Sequence, residues 1–413
     1  MSPHWVCIAL KGIMMTATDS RVRLHGLDAV RGFALILGVA LHASMSFLPG
    51  IQIWVVADSS RSPLMSVLFY VLHMFRMLLF FLIAGFFACM SFHRLGLKGF
   101  VIDRVKRILV PLVVAWLPVF VAIIAILTWN ATIANGGTPP PPASTPGLSP
   151  SNFPLVHLWF LYVLLLLYAA ILIARVVLNY LGMAKVADGF VRLVLGWGGT
   201  VLIALPMTVV LYFQTNWLAW FGVPTPDMSL YPNLTALISY GTAFGFGWLL
   251  NRQPELLKKF EQRWAFHLVL ALIGTTSSLV ILGLTPVLIP TTQDISKFLY
   301  ALLYGFTAWS WVFALLGLAI RFLNNENPVR RYLADASYWI YLVHLPLVMA
   351  LQTLVARLEL SWLLKFPLVL MVTLMIAISS YHVLVRFSFI GVILNGKRAA
   401  KAKPSSFKPY TST

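Results

Sequence analysis

The chain has 413 residues and carries 30 Lys and Arg against 12 Asp and Glu, a formal net charge of +18. With 60% hydrophobic and 10% charged residues and a mean hydropathy of +0.87, it lies outside the soluble globular range, where about 25% of residues are charged. This excludes a water-soluble enzyme, and the basic excess needs no nucleic acid to explain it; the lipid bilayer is the solvent that suits the chain.

Residues 1–26 read as a cytoplasmic N-terminal segment. The apolar run before Lys11 is too short to span a membrane and lacks a small-residue cleavage site, so no cleaved leader is expected, and Met14 or Met15 offers an alternative start. Apolar stretches of about 20 residues, enough to cross roughly 30 Å of hydrocarbon as helix, then recur at 27–48, 65–92, 108–129, 155–177, 193–213, 233–250, 266–289, 297–320, 335–356 and 363–386. Backbone polar groups in hydrocarbon must be satisfied within the segment, which predicts an all-α polytopic bundle of about ten transmembrane helices. No ten-residue alternation of barrel strands competes.

Alternating the loops places 25 of the 30 basic residues on one side, with Arg61, Lys297, Arg357 and Lys365 on the other and Arg76 within a span. Basic loops stay cytoplasmic, so both termini are predicted there, with Lys397, Arg398, Lys401 and Lys403 of a basic tail, 391–413, near the anionic leaflet. The uncharged segment 130–154 contains Pro139 to Pro142, Pro146, Pro150 and Pro154 and reads as an extended external loop. Residues 216–232, with Trp217, Trp220 and Phe221, form a second one. Cys7 and Cys89 make no disulfide framework. No internal repeat of the kind common in secondary transporters is evident.

Ionisable side chains within spans are costly and face a cavity or a partner. The first span carries Asp28, Arg31 and His42. Eleven helical steps bring His42 to within about 20° of the face of Arg31 and about 16 Å farther along. Asp28 and Arg31 are also i,i+3 neighbours, although both could simply mark the interfacial start of the helix. His42 is too deep to snorkel, and a neutral imidazole there can act as a general base. His73 and Arg76 repeat the i,i+3 pattern in the second span, and Arg76 cannot shed its charge. Arg104 and Arg107 present two guanidinium forks suited to phosphate, or equally the basic face of any cytoplasmic loop. His157 and Trp159 open the fourth span, and Tyr338, Tyr341 and His344 follow at i,i+3 in the ninth, where they serve either a cavity or helix packing. The histidines sit on separate spans without paired ligand spacing, so no metal is expected.

The strings LDAVRGFALILGVALHA, FRMLLFFLIAGFF, DRVKRILVP, HLWFLYVLLLLY and SYWIYLVHLP, in this order over most of the chain, resemble the acyltransferase-3 superfamily of membrane acyltransferases. The segment His73-Met74-Phe75-Arg76-Met77 and the HLWFL after a long external loop look most like its branch that decorates periplasmic glucans with succinyl groups. The resemblance implies a transmembrane domain over 27–390 in the bacterial inner membrane. There, cytoplasmic acyl-CoA (succinyl-CoA or acetyl-CoA), a substrate rather than a resident cofactor, presents its thioester to a sugar hydroxyl on the periplasmic side. By the same carry-over His42 is the base, Arg31 and Asp28 place it, and Arg104 and Arg107 meet the CoA phosphates. His73 and Arg76 join the catalytic group, with Arg76 near the oxyanion. His157, Trp159, Tyr341 and His344 then face the acceptor, and the glucan synthesis machinery is an expected partner. A transporter or flippase would use the same His and Arg as a proton or anion pathway.

Overall fold

The computed structural model describes residues 17–141 and 147–395, and within them the chain is helical with no β-strand. The first helix, α1 (Ala17–Ser44), begins ahead of the predicted 27, so the end of the N-terminal segment continues the span. Ser62 starts α2 (Pro63–Arg104): its Oγ accepts the Leu64 N–H at 3.2 Å, and Pro63 occupies the first turn, where a missing N–H costs nothing. Forty-two residues would span about 63 Å as one straight helix, and the chain avoids this at Gly96, whose φ of 67° interrupts α2. A π-turn over Val105–Leu109 then leads into α3 (Val110–Ala134), so the first residues of the predicted proline-rich loop are helical.

After that loop come α4 (Trp159–Tyr180), a short amphipathic α5 (Ala184–Val194) and α6 (Gly199–Phe213). The predicted span 193–213 is thereby corrected: it takes in the end of α5 and all of α6, a helix pair bent by 106°, because Gly196, Gly198 and Gly199 interrupt it. Next are α7 (Leu234–Asn251), α8 (Leu257–Leu282), α9 (Ile295–Phe322), α10 (Pro328–Val355), α11 (Trp362–Ser380) and α12 (Phe389–Asn395). Asn233, Asp294, Asn327 and Ser361 cap α7, α9, α10 and α11 by accepting first-turn N–H groups. Gly283, at φ 78°, stops α8 at Leu282 rather than at the predicted 289. The basic tail beyond Asn395, Cys7, Met14 and Met15 lie outside the described residues.

Each of the ten predicted segments falls on a helix, but among the described residues seven helical runs qualify as spans by length and composition, or eight with the bent pair. Two predicted spans share the continuous run Pro63–Ala134, and α7 is not among the seven. That helix carries Thr235, Ser239, Tyr240 and Thr242 and several glycines, residues that serve packing inside the bundle rather than contact with lipid. Against α2 it packs backbone to backbone. A Cβ on Gly85 would lie 1.9 Å from the Phe244 carbonyl oxygen, and one on Gly247 1.9 Å from that of Leu82. Small residues at such crossings replace the hydrophobic drive that is missing in lipid. In turn α1 lies between α2 and α10 and also touches α9, so its polar stripe faces the centre of the bundle.

One ion pair is sealed beside this centre. Lys365 Nζ, at the start of α11, lies 2.9 Å from both carboxylate oxygens of Asp58 in the segment before α2, with the side chains 0% and 1% exposed. Breaking a buried pair by removing one partner costs about 3–5 kcal/mol. Lys365→Met is expected to lower thermal stability in nanodiscs by that order, and the double variant Lys365→Met/Asp58→Asn to recover most of it. An equal loss in both would mean that packing, not charge pairing, holds the contact.

Candidate functional site

The polar stripe of α1 opens onto a cavity of about 950 Å³. Eleven of the twelve residues singled out in or beside the spans line it: Asp28, Arg31, His42, Arg76, Arg104, Arg107, His157, Trp159, Tyr338, Tyr341 and His344. His73 does not. One step of 300° from Arg76 turns it off that face, and its ring stacks on Phe69 with centroids 5.3 Å apart.

The mouth is charged. Arg94, Arg330, Arg331, Glu326 and Asp335 join Asp28, Arg31, Arg104 and Arg107 there, and with Arg76 the lining holds seven arginines against three carboxylates. Arg31 is tied across the bundle by donating to the Ala334 carbonyl at 2.8 Å. Arg104 and Arg107 share Asp103: its Oδ1 lies 2.9 Å from Arg107 Nε, and its Oδ2 pairs with Arg104 Nη2. Arg104 also donates to the Tyr168 hydroxyl at 3.2 Å and lies over the Phe100 and Tyr168 rings. The Tyr338 hydroxyl donates to the Arg107 carbonyl at 2.5 Å.

Deeper, Arg76 is 9% exposed, makes no ion pair among the described residues, and its Nε is buried without a hydrogen-bond partner. A Cβ on Gly38 would come within 3.2 Å of Arg76 Nη1, so a glycine on α1 leaves room for the guanidinium. Such a charge needs an anion, carbonyl or water, and the cavity is where one can reach it.

At the far end three imidazoles from three elements converge. The His344 ring lies 5.3 Å from that of His42 and 5.2 Å from that of His157. His344 Nδ1 donates to the Tyr341 carbonyl at 2.8 Å, which leaves its Nε2 as acceptor. His157 Nε2 donates to the Leu342 carbonyl at 3.2 Å, and its Nδ1 is buried without a partner, as is Nδ1 of His42. Each ring thus keeps a nitrogen without a hydrogen-bond partner in the protein, one part of what taking up a proton from a bound hydroxyl requires.

Backbone strain presents one of these rings. Val156, directly before His157, has φ 51°, a region that β-branched residues rarely enter, and its N–H donates to the Asp227 carbonyl at 3.1 Å. The Tyr341 hydroxyl donates to the His157 carbonyl at 2.7 Å and completes the clamp. Asp227, in the loop between α6 and α7, has its carboxyl pushed above the usual range by burial.

Sequence reasoning missed Gln352 and Trp54. Gln352 Nε2 donates to the carbonyls of His42 and Ala43 at 2.9 and 3.2 Å, and its Oε1 accepts from Trp54 Nε1 at 2.8 Å. The Trp54 ring lies 5.9 Å from that of His42. A fully buried amide in a span was a readable signal; a loop tryptophan was not. Asp103 stood in plain view beside Arg104.

The hydrogen bonds dictate opposite tautomers at neutral pH, Nδ1–H for His344 and Nε2–H for His157. Nitrogen-15 spectra of histidine-labelled protein in nanodiscs, assigned with His344→Gln and His157→Gln, are expected to show both; one shared tautomer would refute the network.

The acyltransferase domain of the acyltransferase-3 family matches residues 24–382. The chain is 25% identical to glucans biosynthesis protein C of Shigella boydii serotype 4, over 92% of this chain and 96% of that protein. Identity and coverage are the same for glucans biosynthesis protein C of Escherichia coli, including strain K12. No solved structure matches. With the matched region holding the bundle and the cavity's mouth and imidazole end alike, the chain belongs to the acyltransferase-3 family of acyltransferases.

Proposed function

We propose that this protein moves an acyl group, succinyl or acetyl, from cytoplasmic acyl-CoA to a sugar hydroxyl of a periplasmic glucan or related polysaccharide. On this reading it sits in the bacterial inner membrane with ten spans, over 27–390, and both termini in the cytoplasm. The observation that carries the proposal is the single cavity joining an arginine-rich mouth to a deep imidazole cluster. An acyl-CoA carries its phosphates at one end and its thioester at the other, with one further carboxylate beyond the thioester when the acyl group is succinyl, and the cavity places most of its arginines at the mouth and Arg76 beside the imidazoles.

Arg104 and Arg107 then hold phosphate oxygens at the mouth, with Arg31 and Asp28 along the stripe between. The acceptor hydroxyl, held beside His157, Trp159, Tyr341 and His344, attacks the thioester carbonyl carbon. Its proton passes to His42 as general base, negative charge gathers on the carbonyl oxygen, and the Arg76 guanidinium meets it. Collapse breaks the C–S bond, and the proton returns to the thiolate so that CoA leaves as thiol. His73, outside the lining, acts only through the packing of α2. The names of the relatives support a glucan as acceptor.

Purified protein in lipid, supplied with succinyl-CoA or acetyl-CoA and an oligoglucan, is expected to release CoA in a glucan-dependent manner. His42→Ala, in protein that still folds, should slow that release by about 10²- to 10⁴-fold, the usual worth of a positioned base. A transporter built on the same cavity releases no CoA, so silence with both donors would favour transport.

A further inference from the structure

Asp103 is a carboxylate next to the cationic seat proposed for the donor. Its two oxygens each take one guanidinium, Arg107 through Nε at 2.9 Å and Arg104 through Nη2. This is the bridging arrangement that two oxygens of a phosphate ester would adopt with the same forks. Arg104 does not depend on Asp103 alone. Arg104 is anchored by the Tyr168 hydroxyl and the faces of Phe100 and Tyr168. The Arg107 backbone, within the π-turn, is anchored by the Tyr338 hydroxyl. These supports are neutral, whereas Asp103 supplies negative charge. Both arginines line the cavity, and the three side chains are 15% to 32% exposed, so an anion entering the mouth can reach them.

We propose that Asp103 is a resident counter-anion in a phosphate-ester seat formed by Arg104 and Arg107, and that it competes with the phosphates of CoA for them. This rests on the acyl-CoA reading above. The reaction gives the competition a use: donor and product carry the same phosphates, so tight phosphate binding would hold the spent CoA as firmly as the donor. An internal carboxylate weakens both equally and returns to the arginines as CoA leaves, which favours turnover where product release limits it.

The test titrates free CoA into the full chain in phosphatidylcholine nanodiscs. Arg104→Gln and Arg107→Gln are expected to weaken binding at least tenfold, and Asp103→Asn to tighten it about tenfold, the order expected when one opposing charge near the seat is removed. Asp103→Ser should move the same way if the Asn variant does not fold. In turnover assays Asp103→Asn should show stronger inhibition by added CoA. Unchanged or weaker CoA binding in both Asp103 variants would overturn the competition and leave the acyl-CoA reading standing, whereas no CoA binding by the wild type would remove both. A lipid phosphate is the alternative occupant: unchanged CoA affinity in nanodiscs with added phosphatidylglycerol supports the nucleotide, and competition by that lipid, lost in Arg104→Gln, would overturn it.

Discussion

The constraint on which the arrangement depends is the charge of Arg76. A guanidinium keeps its proton at any pH a protein meets, and a charge in the apolar interior is costly unless it is paired or hydrated. No carboxylate answers it among the described residues. The helices therefore cannot close over it as they close elsewhere. Gly38 leaves α1 without a side chain where the guanidinium lies, and the space continues to the charged mouth as one cavity.

Around that space the bundle combines close packing with a few fixed polar contacts. The α2 and α7 backbones touch through Gly85 and Gly247, so the helix bearing Arg76 cannot shift without displacing its neighbour. The His344 and His157 rings are held by backbone carbonyls of Tyr341 and Leu342 rather than by flexible side chains, which fixes their orientation beside the cavity. The strained Val156 shows the same economy: an unfavourable backbone angle is maintained by the Asp227 carbonyl and presents His157 to its partners. The mouth is different in kind, with exposed and loosely paired charges such as Arg331 and Glu326, at 76% and 70% exposure, where the deep end has sealed ones.

Where sequence and structure part, the causes are local. The predicted span 193–213 is broken because glycines between α5 and α6 allow a sharp turn that hydropathy does not register. In α7 the hydropathy is diluted because the helix faces other helices, and polar or small residues there cost little. His73 shares the i,i+3 pattern of Arg76 yet stacks on Phe69, since three residues separate two side chains by a sixth of a turn and packing chooses which of them faces the cavity.

Hydrophobic length and helical period, read from the sequence alone, determined that the chain is a membrane helix bundle and that Arg31 and His42 share one stripe. Both follow from backbone hydrogen bonding and the 3.6-residue turn, which act within a single helix. Only the tertiary structure decided that His157 and His344 would join His42, that Gln352 would brace its backbone and that Asp103 would occupy both arginines at the mouth. The cost of a polar group in hydrocarbon dictates that such residues turn inward, but which helices lie side by side depends on crossings of small residues and on turns far apart in the chain, and no single segment encodes them.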